Sequence, residues 1–260
     1  MGTLYSRCVG TLISRGKYIF PLDNDDMIFG EDVFDYTFRI ANLGNYDILG
    51  FKAVKVKKYF ENIRKIKDLF SYINQNNLVV NQPKLSTWII SSNGKFNPHD
   101  VTLWGKIIKA KIYKKSIELL GPKRYSSYLS WAEDTSMNFI IYNTAESYIF
   151  IHKYGILHLV SPTTASLTQP INNNIFGLLF FLEIIFDFSR NNENKNYSVS
   201  AALYIIKEYF KNKININKEN LLYLNKIVNK IMKSKYINIK NKKFLEKKFL
   251  SIIINSNNNL

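Results

Sequence analysis

With a single cysteine, six prolines, eleven glycines and three histidines in 260 residues, the sequence excludes several protein classes at once. A lone Cys8 cannot form an internal disulfide, and no cysteine-based zinc site can be assembled around it. That shortage fits a reducing compartment, and the expected localisation is the cytoplasm. Long apolar runs are also missing. The most apolar stretch, Ile175 to Phe188, is too short to cross a bilayer and contains Glu183 and Asp187. Met1 to Arg15 lacks the continuous apolar core of a secretory signal. Negative charge is scarce: 20 acidic residues oppose 36 basic ones, for a net charge of +16. That excess is uneven, because Arg190 to Leu260 holds 15 basic residues against 4 acidic ones.

What remains is the composition of a folded chain, 46% hydrophobic and 15% aromatic. The basic tail alternates lysines with apolar residues at helical spacing, the pattern of the wet face of packed helices. A partner chain or the periphery of a membrane are surfaces such helices can meet. Nucleic acid is the weaker reading, since it requires a dedicated basic interface.

The most informative segment is Tyr18-Ile19-Phe20-Pro21-Leu22-Asp23-Asn24-Asp25-Asp26. A short apolar run rich in β-formers reads as a buried strand over Lys17 to Leu22, and it ends in three carboxylates. Clustered carboxylates repel one another unless a cation lies between them, and hard cations such as Mn²⁺ or Mg²⁺ prefer oxygen ligands. Two other acidic-loop chemistries fail. A helix-loop-helix calcium site needs Gly at its sixth position and a carboxylate at its twelfth, where this chain has Ile28 and Phe34. An aspartyl phosphatase would place Thr or Val soon after the second Asp, but Met27 and Ile28 follow. A metal site gripping the diphosphate of a sugar nucleotide survives. The alternative is an acidic turn with no chemistry.

A second acidic pair occurs in Trp131-Ala132-Glu133-Asp134-Thr135, ahead of a helix over Asp134 to Thr144. It reads either as an N-terminal cap or as a carboxylate placed to take a proton from an acceptor hydroxyl. Trp131 beside it offers a flat face for an acceptor sugar. His99, His152 and His158 read as ordinary polar residues, His158 carrying a slight extra weight as a metal ligand.

These residues carry a resemblance. Gly2-Thr3-Leu4-Tyr5-Ser6-Arg7-Cys8-Val9-Gly10 and Arg15 to Asp26 resemble the "G-x-x-x-A-R-N-x-G" and "Y-I-x-F-L-D-x-D-D" stretches of family 2 glycosyltransferases. Leu103-Trp104-Gly105-Lys106-Ile107-Ile108 is similar to that family's "W-x-K-L" strand, and Trp131 to Thr135 to its acceptor-site Glu-Asp motif. Ser147-Tyr148 and Ser161 to Thr168 resemble the segment that follows. The resemblance implies an inverting, metal-dependent transferase of the GT-A fold that uses a nucleotide-activated sugar and an acceptor hydroxyl, on a glycan or another molecule. On it, Asp134 would be the general base with Glu133 its neighbour. Arg7, Asp23 and Asp25 would serve the nucleotide diphosphate, and Asp23, Asp25 and Asp26 the cation. Cys8 stands where the family has Asn.

The family's opening strand, "S-x-I-[IV]-P-x-Y-N", and its "D-D-G-S-x-D" turn have no counterpart here. The expected fold is therefore α/β, a partial GT-A mixed sheet with flanking helices plus a helical C-terminal part. Residues 1–170 would form the transferase-like domain without its first strands, and 171–260 a basic helical region. A catalytically inactive, truncated transferase-like binding protein is the alternative.

Further helices are expected over Met1 to Arg15, Asp32 to Leu43, Glu61 to Ile73, Lys114 to Leu120, Ile175 to Phe188, Ser200 to Phe210, Lys218 to Tyr236 and Lys243 to Ile254. Strands are expected over Asp47 to Lys57, Leu103 to Ile112, Ser147 to Lys153 and Ile156 to Val160. Ser91 to Asp100 reads as a loop.

Overall fold

The structure is a computed structural model, and it describes residues 2–30, 32–56, 77–82, 84–89, 101–127, 129, 132–159, 171–189, 195, 198–199, 201–204, 206, 217–237 and 239–257. The expected helix at 61–73, the loop at 91–100, the segment 161–168 and most of the helix at 200–210 lie outside the described residues.

A mixed sheet forms the centre. Its strands are β1 (Tyr18–Ile19), β2 (Asp26–Ile28), β3 (Ile48–Val56), β4 (Leu78–Asn81), β5 (Lys106–Lys109) and β6 (Ser147–Leu159). The order is β1-β5-β3-β6-β2, with β4 also paired to β6. β6 is the spine. It runs parallel to β3 along one edge, while on its other edge β4 pairs with its beginning and β2 with its end, both antiparallel. Ser147 to Leu159, expected as parts of two strands, is one long strand, because β3 pairs along most of one edge while β4 and β2 pair with its two ends on the other.

Alternation sends neighbouring side chains to opposite faces, and both faces are buried. Ile48, Ile108 and Tyr148 join a core with Leu4, Cys8, Tyr113, Ile117 and Ile140. Leu49, Ile107 and Ile149 join the opposite core with Ala41, Phe51 and Ile156. Helices α1 (Thr3–Ile13), α3 (Ala110–Leu120) and α5 (Glu133–Thr144) supply the first core, and α2 (Val33–Leu43) covers the second. In α2 the inward residues are Val33, Thr37 and Ala41, whereas Phe34 and Phe38 are about half exposed. They meet the strand at ring edges instead, Phe34 against Phe20 at 5.2 Å and Phe38 against Tyr18 at 5.9 Å.

Close packing of neighbouring side chains explains two glycines. A Cβ on Gly50 would lie 2.4 Å from Tyr148 Oη, and one on Gly155 would lie 2.5 Å from Val33 Cγ2.

Three differences from the expected elements have local causes. The strand expected over 103–112 is confined to Lys106–Lys109, since the chain turns into α3 at Ala110. The acidic turn after β1 continues into β2, a strand too short to carry a periodic signal. β4 lies in a polar stretch that shows no clear alternation.

Beyond residue 170 the described chain is helical: α6 (Ile171–Phe188), α7 (Lys218–Lys233) and α8 (Ile239–Asn257), with a short α4 (Pro122–Tyr125) earlier in the chain. α6 divides its apolar surface between two cores. Phe180, Phe181, Ile184 and Ile185 join the sheet-side core, while Ile175, Leu179, Leu182 and Phe186 join Leu224, Ile227, Val228, Ile231, Leu245 and Phe249. Its acids face neighbouring helices. Tyr223 Oη donates to Glu183 Oε2 at 2.5 Å, Arg124 Nη2 to Asp187 Oδ2 at 2.5 Å, and Lys230 pairs with Asp187.

Candidate active site

Arg7 is placed by α1, whose Leu4 and Cys8 are fully buried and thereby fix the helix's rotation. Its guanidinium bridges separate parts of the chain. Nη2 donates to Asp23 Oδ1 on the turn after β1, and Nη1 donates to Asp134 Oδ1 at the start of α5. Glu133 Oε1 lies 3.5 Å from the same Nη1. One cation therefore gathers the two acidic motifs, and it brings Asp23 and Asp134 within the reach of a single guanidinium. Arg7 keeps only 15% of its side chain exposed, so solvent screens these pairs weakly.

The helix start reinforces the arrangement. The N-cap of α5 is Ala132, in the left-handed region at φ 60°, and no side chain caps the helix there. Glu133 and Asp134 thus occupy the first turn and face the cluster, where the helix dipole favours carboxylates. Burial, then the neighbouring Asp134, pushes Glu133 up to about 7. Burial likewise holds Asp134 above the ordinary carboxylate range, with Arg7 opposing it. The Arg7 guanidinium stays protonated. Burial raises the Cys8 thiol to about 12, so it is no nucleophile.

The other oxygen of Asp134, Oδ2, accepts the backbone N–H of Leu103 at 3.2 Å. The turn that supplies this N–H is tied on both sides. Asn138 Nδ2, one helical turn beyond Asp134, donates to Val101 O at 2.7 Å. Lys106 Nζ donates to Thr102 O, and Gly105 closes the turn at φ 75°. Leu103, Lys106 and Asn138 were not singled out by the sequence as site residues; the similarity of Leu103 to Ile108 to the "W-x-K-L" stretch was the only signal.

Asp26 forms a second grouping. Its carboxylate is fully buried, and its Oδ1 accepts the Nδ1–H of His158 at 2.7 Å. His158 stacks on Trp104, ring centroids 4.7 Å apart. The hydrogen bond to Asp26, against the cost of burial, raises the His158 pKa above its usual value. Asp25, next to Asp26 in the chain, is half-buried. Trp131, expected as an acceptor platform, lies outside the described residues.

Among the described residues no three His, Cys, Asp or Glu side chains converge to form a metal cage. Asp23 is committed to Arg7, but Asp26 Oδ2 is buried with no hydrogen-bond partner. An orphaned carboxylate oxygen beside Asp25 fits the Mg²⁺ mode of binding, in which one or two carboxylates share the ion with substrate phosphates.

No family model matches this chain, and no curated protein matches it. Solved structures do. The architecture, a curled mixed sheet with flanking helices, is similar to that of the S. aureus glycosyltransferase TarS. The matching structures include S. aureus TarS 1-349 in complex with UDP, at 15% identity and a TM-score of 0.55, covering 98% of this chain and 69% of that one. They also include TarS 1-349 alone, at 12% identity and a TM-score of 0.57, over 98% and 68%. The complex of TarS with UDP-GlcNAc matches at 12% identity and a TM-score of 0.58, over 98% and 69%. At these identities the likeness is one of fold.

Proposed function

We propose that this chain is an inverting glycosyltransferase of the family 2 type, moving a sugar from a nucleotide-activated donor to an acceptor hydroxyl. The observation that carries the reading is Arg7 joining Asp23 to Asp134, which places an acid–base group beside an acidic turn suited to a diphosphate's counter-cation. The UDP and UDP-GlcNAc in the TarS complexes support a nucleotide sugar as donor.

In this reading Asp134 takes the proton of the acceptor hydroxyl as its oxygen bonds to the anomeric carbon. The bond from that carbon to the diphosphate oxygen breaks on the opposite face, and the electron pair leaves with the diphosphate. A base held above the ordinary carboxylate range accepts a proton more readily, provided it begins ionised, and the Arg7 guanidinium and the Leu103 N–H favour that ionised form. Leu103 fixes the direction of the carboxylate. Glu133, whose carboxyl is held above its ordinary range by burial, precedes Asp134 in the first turn of the same helix. Arg7 offsets negative charge where the diphosphate would lie. Asp26, with Asp25 beside it, would hold Mn²⁺ or Mg²⁺, and the ion would supply charge neutralisation at the leaving group.

The test uses the purified chain with UDP-GlcNAc and other UDP-sugars, following release of UDP. Asp134→Asn is expected to lower turnover by about a thousandfold or more, while UDP binding by calorimetry changes less than about twofold. EDTA is expected to stop turnover, and added Mn²⁺ or Mg²⁺ to restore it. Undiminished turnover in Asp134→Asn would remove Asp134 from this role.

A further inference from the structure

The lysine-rich helix at the end of the chain takes no part in the transfer chemistry. We propose that α8 is a docking helix whose outer face rests on an anionic lipid bilayer. Its rotation is fixed from within, because Leu245 and Phe249 are buried in the second core beside Ile237. The opposite face is then determined by helix geometry. Ile239, Lys243, Lys247 and Leu250 follow one another at spacings of four, four and three residues, which makes one continuous ridge, and Lys240 flanks it.

That ridge combines two features that a merely solvated face does not need. Ile239 is 73% exposed and Leu250 52% exposed, at the two ends of the ridge, with the exposed lysines between and beside them. The helix sequence carries five lysines against the single acid Glu246. Ammonium groups on long stems reach lipid phosphates while apolar side chains enter the boundary of the acyl region. A phosphate-bearing nucleic acid would use the lysines but would leave Ile239 and Leu250 in water. Among the described residues no helix is long and apolar enough to cross a membrane, so the geometry is that of a helix lying in the interface plane.

The test is flotation of the full chain with vesicles of phosphatidylglycerol and phosphatidylcholine, against vesicles of phosphatidylcholine alone. Binding is expected only with the anionic vesicles, and about 0.5 M salt is expected to weaken it. Lys240→Glu/Lys243→Glu/Lys247→Glu should weaken it about a hundredfold or more. Ile239→Ser/Leu250→Ser should weaken it about tenfold. All five positions are exposed, so circular dichroism and melting temperature should stay those of the parent. Failure to float with anionic vesicles overturns the proposal, as does undiminished binding in either variant. A variant pattern in which only the lysines matter, with equal affinity for poly(U), would reassign the face to polyanions in general.

Discussion

Asp26 and His158 are cross-strand partners: β2 and β6 set them opposite one another, and their side chains meet at 2.7 Å. That one register joins the acidic turn after β1 to the far end of the longest strand, and to Trp104 stacked behind the imidazole.

Removing the imidazole strands a buried carboxylate. His158→Ala is expected to lower unfolding free energy by about 2 kcal/mol in urea titrations, and His158→Gln to recover part of it through an amide donor. An unchanged midpoint in His158→Ala would mean that water reaches Asp26 without cost.

Arg7 holds three carboxylates from two separate motifs. Arg7→Met should destabilise the fold by about 3–5 kcal/mol, because the acids remain buried without their cation. Arg7→Lys should be intermediate, since a point charge cannot span both sides as a guanidinium does. Denaturant midpoints decide this, and equal stability for Met and the parent would contradict the bridge.

Glu133 binds its proton more tightly in the folded chain than in the unfolded one. Its contribution to stability is complete below about pH 4.5 and is lost as pH rises through about 7. Glu133→Gln removes that loss, so its advantage over the parent should grow between those two values and then level off. Thermal melts across the range test this. A constant difference at every pH would show that Glu133 titrates normally.

Gly50 packs against the Tyr148 hydroxyl too closely for any Cβ. Gly50→Ala is expected to cost about 1–3 kcal/mol by overpacking. Adding Tyr148→Phe deletes the nearest atom and should restore part of that loss. Additive losses in the double variant would place the strain elsewhere.

Local patterns made much of this legible. The helical spacing of Leu224, Ile227, Val228 and Ile231 and the acidic pair opening α5 read directly, because each depends on neighbours in sequence, whereas the buried strand expected over Lys17 to Leu22 is only Tyr18–Ile19 and half-buried. The fates of Phe34 and Phe38 did not read directly, since the tilt of α2 on the sheet decides which of its apolar residues face inward. β2 and β4 were equally hidden, because short strands exist only through their pairing with β6.

The sequence alone determined the chemical inventory: one thiol, two acidic motifs each beside a hydrophobic element, and a basic helical end. Residue types and short periodicities suffice for that. Tertiary structure decided which of these groups act together. Arg7 reaches Asp134 across 127 positions and Asp26 reaches His158 across 132, because α1 packs against α5 and β2 pairs with β6. Contacts at such separations come from the burial of whole faces and from strand register, which no local pattern encodes.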